Sequence, residues 1–120
     1  MERLFEWSQF LKPSDTEPLR SLVSSSKDCN IIVWHVKPGQ RLLPHVHPGG
    51  QDTWIIQSGR GEYQIDAAGA TRPIEQGMIV VAHTGEVHGV TCTSADEPLV
   101  IISIVAPAEA GFEPTAEGRA

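Results

Sequence analysis

The chain of 120 residues is one domain's worth, long enough to close a hydrophobic core without disulfides or metal. Its formal charge of −6, with nine Lys and Arg scattered along it, provides no basic patch for nucleic acid or an anionic membrane. Cys29 and Cys92 have no C-x-x-C spacing, the N-terminus lacks the basic and apolar regions of a signal peptide, and the longest apolar run, 99–105, is far too short to span a bilayer, so a cytoplasmic, reduced protein is expected.

In chain order, residues 1–30 read as an N-terminal edge segment. Its apolar patch, with Phe5, Trp7, Phe10 and Leu11, fits either an edge strand or a short helix. From residue 31 the chain is cut by Gly, Pro and Asp into short β-rich runs: 31–37, 41–47, 53–57, 61–66, 78–82, 88–93 and 99–105. Seven or eight short strands with no long helical period predict an all-β fold. Such chains avoid bare sheet edges by closing up, so the expectation for 31–105 is a jelly-roll β-barrel of about eight strands with little helix. Residues 106–120 are small, acidic and broken by proline, and read as a C-terminal tail or strap.

His45 and His47 sit two residues apart in an extended run, so alternation points both imidazoles the same way. The Pro48-Gly49-Gly50 turn then returns Asp52 close to them, and His88 arrives on another short run after a second turn. Three imidazoles and a carboxylate suit a borderline divalent ion. Gln51 is the rival to Asp52, because a one-residue slip of the turn swaps faces. Trp54, on the face of Asp52, either lines a cavity beside that site or is plain core. His83 falls in a turn near the cavity mouth, and Tyr63 follows two glycines that blur its register. Cys92 reads as a small interior filler with thiolate chemistry as the alternative, His35 as a structural histidine, and Glu86 as a solvated loop carboxylate.

Two motifs carry a resemblance to the cupin superfamily. The first is Gly39, five residues, His45, one, His47, four, Asp52, six, Gly59; the second is Gly77, five residues, His83, one, Gly85, two, His88, three, Cys92. The sequence departs from the family pattern with Asp52 for Glu, His83 for Pro and Cys92 for Asn. Motif to motif the resemblance runs over 39–92, and its strand-like flanks extend it to 31–105.

The resemblance implies a cupin-type barrel in which His45, His47, Asp52 and His88 hold one divalent ion, iron, manganese, nickel or zinc, at the inner end of a small-molecule pocket. Four protein ligands leave positions open on a six-coordinate ion, which marks a reactive site. The expected function is a metal-dependent enzyme of dioxygenase, isomerase, lyase or decarboxylase type, whose substrate chelates the ion through oxygens. The alternative is a non-catalytic binding or sensing module. His83, Tyr63 and Glu86 are the loosely placed acid–base candidates. The family also implies a homodimer, to which the N-terminal apolar patch lends itself.

Overall fold

The computed structural model describes residues 1–115. A single 3-10 turn, Trp7–Phe10, precedes ten strands: β1 Ser21–Ser25, β2 Asn30–Val36, β3 Arg41–Val46, β4 Gln51–Ser58, β5 Arg60–Gln64, β6 Thr71–Glu75, β7 Ile79–Ala82, β8 His88–Cys92, β9 Leu99–Ala106 and β10 Glu113–Pro114. The N-terminal patch thus forms a helical turn. Among the described residues no helix is long and apolar enough to cross a membrane.

The strands form two antiparallel five-stranded sheets, ordered β1-β2-β9-β4-β7 and β10-β3-β8-β5-β6. Each sheet keeps two free ends, and no ladder joins one sheet to the other among the described residues. This corrects the expected jelly-roll β-barrel of about eight strands: the architecture is a pair of open sheets, and three strands, β1, β6 and β10, were not anticipated as strands. The physical reason lies at the edges. β6 and β10 each carry a proline, Pro73 and Pro114, which has no N–H to give a further ladder. In the other sheet, β1 is interrupted by a register shift between Leu22 and Ser24, and β7 has four residues. Short, bulged or proline-bearing edges stop pairing without closure.

Alternation along the strands builds the interior. Asp52, Trp54 and Ile56 of β4 are buried while their neighbours are less so, and Ile101, Ser103 and Val105 of β9 do the same. Trp54, Ile56, Tyr63, Val90, Cys92, Leu99 and Ile101 pack into the main core with Val36, Leu42 and Ile74. Ile32, Val105 and Ala110 form a smaller cluster. After β9 the chain crosses back as a strap: Gly49 N–H donates to the Ala110 carbonyl at 2.7 Å, and Glu113 and Pro114 pair with Val46 and His45. Residues 116–120 of the expected tail lie outside the described residues.

Gly59 turns the chain from β4 into β5, and so from one sheet to the other, with φ +77°. A Cβ there would run into the Pro98 carbonyl and lie 2.8 Å from Leu99 Cα. Gly39 has a similar φ, +84°, but opens onto free space. Gly59→Ala is expected to cost about 2–4 kcal/mol, strain plus overpacking, against about 1–2 kcal/mol for Gly39→Ala from strain alone. Urea unfolding of the two variants measures the difference, and equal losses would show that the sheet-switching corner is not tightly packed.

Candidate metal centre

The site is built by a local irregularity in β3. In the β3–β8 ladder Leu42 faces Val90 and His45 faces His88, so Leu43 and Pro44 on one strand sit opposite Gly89 alone on the other. The extra residue is a β-bulge. It lets Leu42 enter the core and still aims His45 and, two residues on, His47 to the same side. Pro44 fits in the bulge because no ladder N–H is required of it. Opposite, a Cβ on Gly89 would meet the Leu42 carbonyl at 2.9 Å and Pro44 at 3.0 Å, which explains why the second position of β8 carries no side chain.

The ligand-type atoms of His45, His47, Asp52 and His88 all lie within 4.8 Å of one another. The His45 and His88 rings are 4.2 Å apart, and the His45 and His47 rings 5.0 Å. Each imidazole is fixed from behind by a backbone carbonyl. His45 Nδ1 donates to Leu43 at 2.8 Å, His47 Nδ1 to Gly111 at 2.7 Å, and His88 Nδ1 to Glu86 at 3.1 Å. A carbonyl only accepts, so Nδ1 must carry the proton in all three rings, and all three Nε2 atoms are presented to the centre. His47 Nε2 lies 3.3 Å and His88 Nε2 3.0 Å from Asp52 Oδ2. The other carboxylate oxygen accepts from Ser103 Oγ at 2.6 Å.

The electrostatics favour an ionised Asp52 and a neutral His45, and hold His47 toward its protonated form. Burial pushes the Asp52 carboxyl up, but hydrogen bonds from His47, His88 and Ser103 outweigh it and hold the group well below the usual carboxylate range. Burial, with the neighbouring His88, brings His45 down to about 4, so its imidazole is neutral at pH 7. Burial also lowers His47, yet its bonds to Asp52 and the Gly111 carbonyl leave it raised overall. Three inward Nε2 atoms, one ionised carboxylate and carbonyl-anchored outer nitrogens are the donor set and surroundings of a divalent-ion site. The residues fit such an ion.

A cavity of about 610 Å³ opens over the cluster. His45, His47 and Asp52 line it, with Ile32, Trp34, Leu42, Trp54 and Val105 along its walls and Phe112 on the strap. The Phe112 ring lies 4.8 Å from that of His45 and is tilted 32° to it. His88 is 1% exposed and closes the cluster from behind.

The remaining sequence candidates are dispersed. Trp54 lines the cavity, with its ring 5.6 Å from His88. Gln51 is exposed and donates to Thr53 Oγ1, so the turn delivers Asp52 and not its neighbour to the interior. Tyr63 packs edge-on against Trp54 in the core, where burial first and then the Asp52 charge raise its pKa. Cys92 is buried in the same core. His83 is exposed and paired at 2.8 Å with Glu86. None of these four lines the cavity.

Sequence reasoning named the strap but gave it no part in the site, and it passed over Ser103 and the rim residue Arg20. Ser103 had a signal: it is the one polar residue in the 99–105 run, and a hydroxyl in a buried strand needs a partner.

Two packed antiparallel sheets with an imidazole–carboxylate cluster at the base of a cavity define a small β-protein able to hold a divalent ion. The Cupin domain model matches residues 32–105, and the chain belongs to that family. The fold is shared with a conserved protein with a double-stranded beta-helix domain from Klebsiella pneumoniae, 41% identical, with 96% of this chain and 98% of that one covered and a TM-score of 0.90. An RmlC-like cupin from Desulfovibrio desulfuricans is 25% identical over 90% of this chain and 99% of its own, with a TM-score of 0.79. A Thermus thermophilus protein reaches the same TM-score at 21% identity, over 88% of this chain and 97% of that one. No curated protein matches.

Ser103→Ala removes the donor that turns Asp52. It is expected to weaken affinity for a divalent ion by about tenfold or more, read by competition with a chromophoric chelator. Cys92→Ser is expected to leave that affinity unchanged. An unaltered affinity in Ser103→Ala would remove Ser103 from the support of the centre.

Proposed function

We propose that this protein is a divalent-metal cupin in which His45, His47, Asp52 and His88 are the ligands, and that it acts on a small molecule chelating the ion through oxygens. The observation that carries this reading is the set of three carbonyl-anchored imidazoles whose Nε2 atoms converge with one carboxylate on a cavity floor. A structural zinc site is closed by its protein ligands, whereas this cluster faces a cavity large enough for a small molecule.

A divalent ion held there supplies Lewis-acid chemistry, polarising a bound oxygen or lowering the pKa of bound water, and redox chemistry if it is iron. The chain's own contribution is orientation and exclusion. Carbonyls of Leu43, Glu86 and Gly111 fix the three rings, Ser103 fixes the carboxylate, and Ile32, Trp34, Leu42, Trp54 and Val105 keep the walls apolar. Proton transfer has few candidates: Tyr63 is in the core and His83 with Glu86 is on the surface, so neither reaches the cavity, and among the described residues the one lining carboxylate besides Asp52, Glu17, stands at the rim with Arg20. That scarcity favours reactions needing little acid–base help, and it is also the observation behind a second reading, a non-catalytic binding or sensing module.

Elemental mass spectrometry of protein purified without chelator or affinity-tag metal is expected to find about one divalent ion per chain, lost in the His45→Ala/His47→Ala double variant. Equal metal in both would overturn the ligand assignment. Metal-dependent turnover of an oxygen-chelating substrate would establish the enzyme, while saturable binding without product under iron, manganese, nickel and zinc would establish the module.

We also propose a homodimer. Two outward rows cross the β2-β9-β4-β7 part of the first sheet, Ile31-Ile104-Thr53-Val81 and Val33-Ile102-Ile55-Ile79. Ile79 is 67% and Val81 38% exposed. Val33 is already covered at 1% exposed, and the open aliphatic part of the face, toward Ile79 and Val81, is what a self-complementary contact requires. Sedimentation at micromolar concentration is expected to give a dimer for the natural chain and a monomer for Ile79→Asp. A monomer for both would exclude the dimer.

A further inference from the structure

We infer that the molecule taken by this cavity is an oxygen-chelating small acid: one end binds over the His45-His47-Asp52-His88 cluster, an apolar and preferably flat middle lies along the walls, and a carboxylate at the far end pairs with Arg20. The inference rests on the metal-centred reading above and deepens it by naming the ligand class.

The placement comes from the sheet. Ser21 is in register with Val33, which sets Arg20, one residue earlier, opposite Trp34. In the order β1-β2-β9-β4 this is three strands away from Asp52. Trp34 faces Ile101 and Ile101 faces Ile56, four residues from Asp52, so three strand spacings across and four residues along put the Arg20 and Asp52 backbones about 19 Å apart. The arginine side chain and the cluster both extend into that distance, and what remains between them is the length of a small ring-bearing acid. Both ends border one cavity.

Between the two ends the lining is mostly apolar, Ile32, Trp34, Leu42 and Val105 with the Phe112 ring at the strap, and Asn30 is a polar exception. Such a wall, whose polar groups are Asn30 and the Trp54 Nε1–H, unpaired among the described residues, favours a mainly apolar middle, and Trp34 and Phe112 suit a flat one. In a chain of net charge −6, both of the lysine or arginine side chains that line the cavity are arginines, Arg20 and Arg41. Arg41 is engaged in an interaction of its own. Arg20 is exposed and makes no hydrogen bond or ion pair among the described residues, Glu17 on the same rim included. A planar guanidinium at a cavity rim is built for a carboxylate. The segment that leads to Arg20 is also held down: Lys37 pairs with Asp15, and Gln40 Nε2 donates to the Ser14 carbonyl at 2.7 Å.

The test uses two probes with the same chelating head, benzohydroxamate and 4-carboxybenzohydroxamate, titrated calorimetrically into the zinc-loaded and metal-free natural chain and the zinc-loaded Arg20→Gln variant. The zinc-loaded natural chain is expected to bind the carboxylated probe about fivefold more tightly, and Arg20→Gln is expected to erase that preference while its affinity for benzohydroxamate is unchanged. Equal affinity for the two probes in the natural chain, or a preference that survives in Arg20→Gln, overturns the Arg20 assignment and leaves the metal-centred reading standing. Failure of both probes to bind, or binding that is the same without zinc, overturns the metal-centred reading and this inference with it.

Discussion

Three buried or half-buried imidazoles can be held in one orientation only if each outer nitrogen finds an acceptor, and in this protein all three acceptors are main-chain carbonyls. They come from separate places: Leu43 in the β3 bulge, Glu86 in the turn before β8, and Gly111 in the strap after β9. Much of the local structure follows from delivering those three oxygens. The bulge exposes the Leu43 carbonyl to its own neighbour two residues on. The turn places Glu86 two residues before His88, with His83 and Glu86 bound to each other on its outside at 2.8 Å. The strap is drawn across the site by the Gly49–Ala110 bond and its short ladder with Val46 and His45. Remote segments are therefore part of the centre although none of their side chains joins it.

The carboxylate obeys a parallel constraint. Asp52 is one methylene shorter than glutamate, so its position depends more closely on its backbone. β4 brings that backbone in at the first inward position after the Pro48-Gly49-Gly50 turn, and the turn stays tight because a Cβ on Gly50 would collide with the side chain of Ala110 and lie 2.6 Å from the Ala106 carbonyl. Ser103, opposite Trp54 in the ladder, then holds one oxygen at 2.6 Å and leaves the other among the imidazoles. A buried carboxylate with both oxygens engaged is oriented before any ligand arrives, and preorganisation of this kind lowers the cost of binding. The short acid and the strand hydroxyl act as one unit.

The sequence was most informative where a period-two pattern met a turn. Alternation placed His45 with His47 and Asp52 with Trp54, and those sets share the cavity. The seven β-rich runs all became strands to within two residues at either end. It was least informative where a pattern of side chains says nothing about pairing. β6 was missed because Thr71-Arg72-Pro73-Ile74-Glu75 has a proline at its centre, which only an edge strand tolerates, and edges are a property of the assembled sheet. The open sheets were missed for the same reason: strand count does not reveal whether the last strands meet. Leu42 belongs inside only because of the bulge, which no spacing announces. Ser103 offered only its polarity as a signal, and its bond to Asp52 and the place of Arg20 opposite Trp34 emerged from the assembled sheet.

This division has a chemical counterpart. The motifs identified the four residues of the cluster, which form a set able to hold an ion. The residues the motifs left out, Ser103, Phe112, Arg20 and the Gly111 carbonyl, decide how this cluster is oriented, covered and approached. Main-chain carbonyls carry no side-chain signature, so the orientation of His47 could change with the path of the strap while His47 itself stayed the same. On the proposed reading, the identity of what binds is to be sought in the rim and strap, since the cluster would supply affinity for an ion and for oxygen donors in general. If the cluster holds an ion as proposed, a cavity polar at its floor, mostly apolar along its walls and cationic at its rim would discriminate among chelators by their far end, at the segment before β1, outside both motifs.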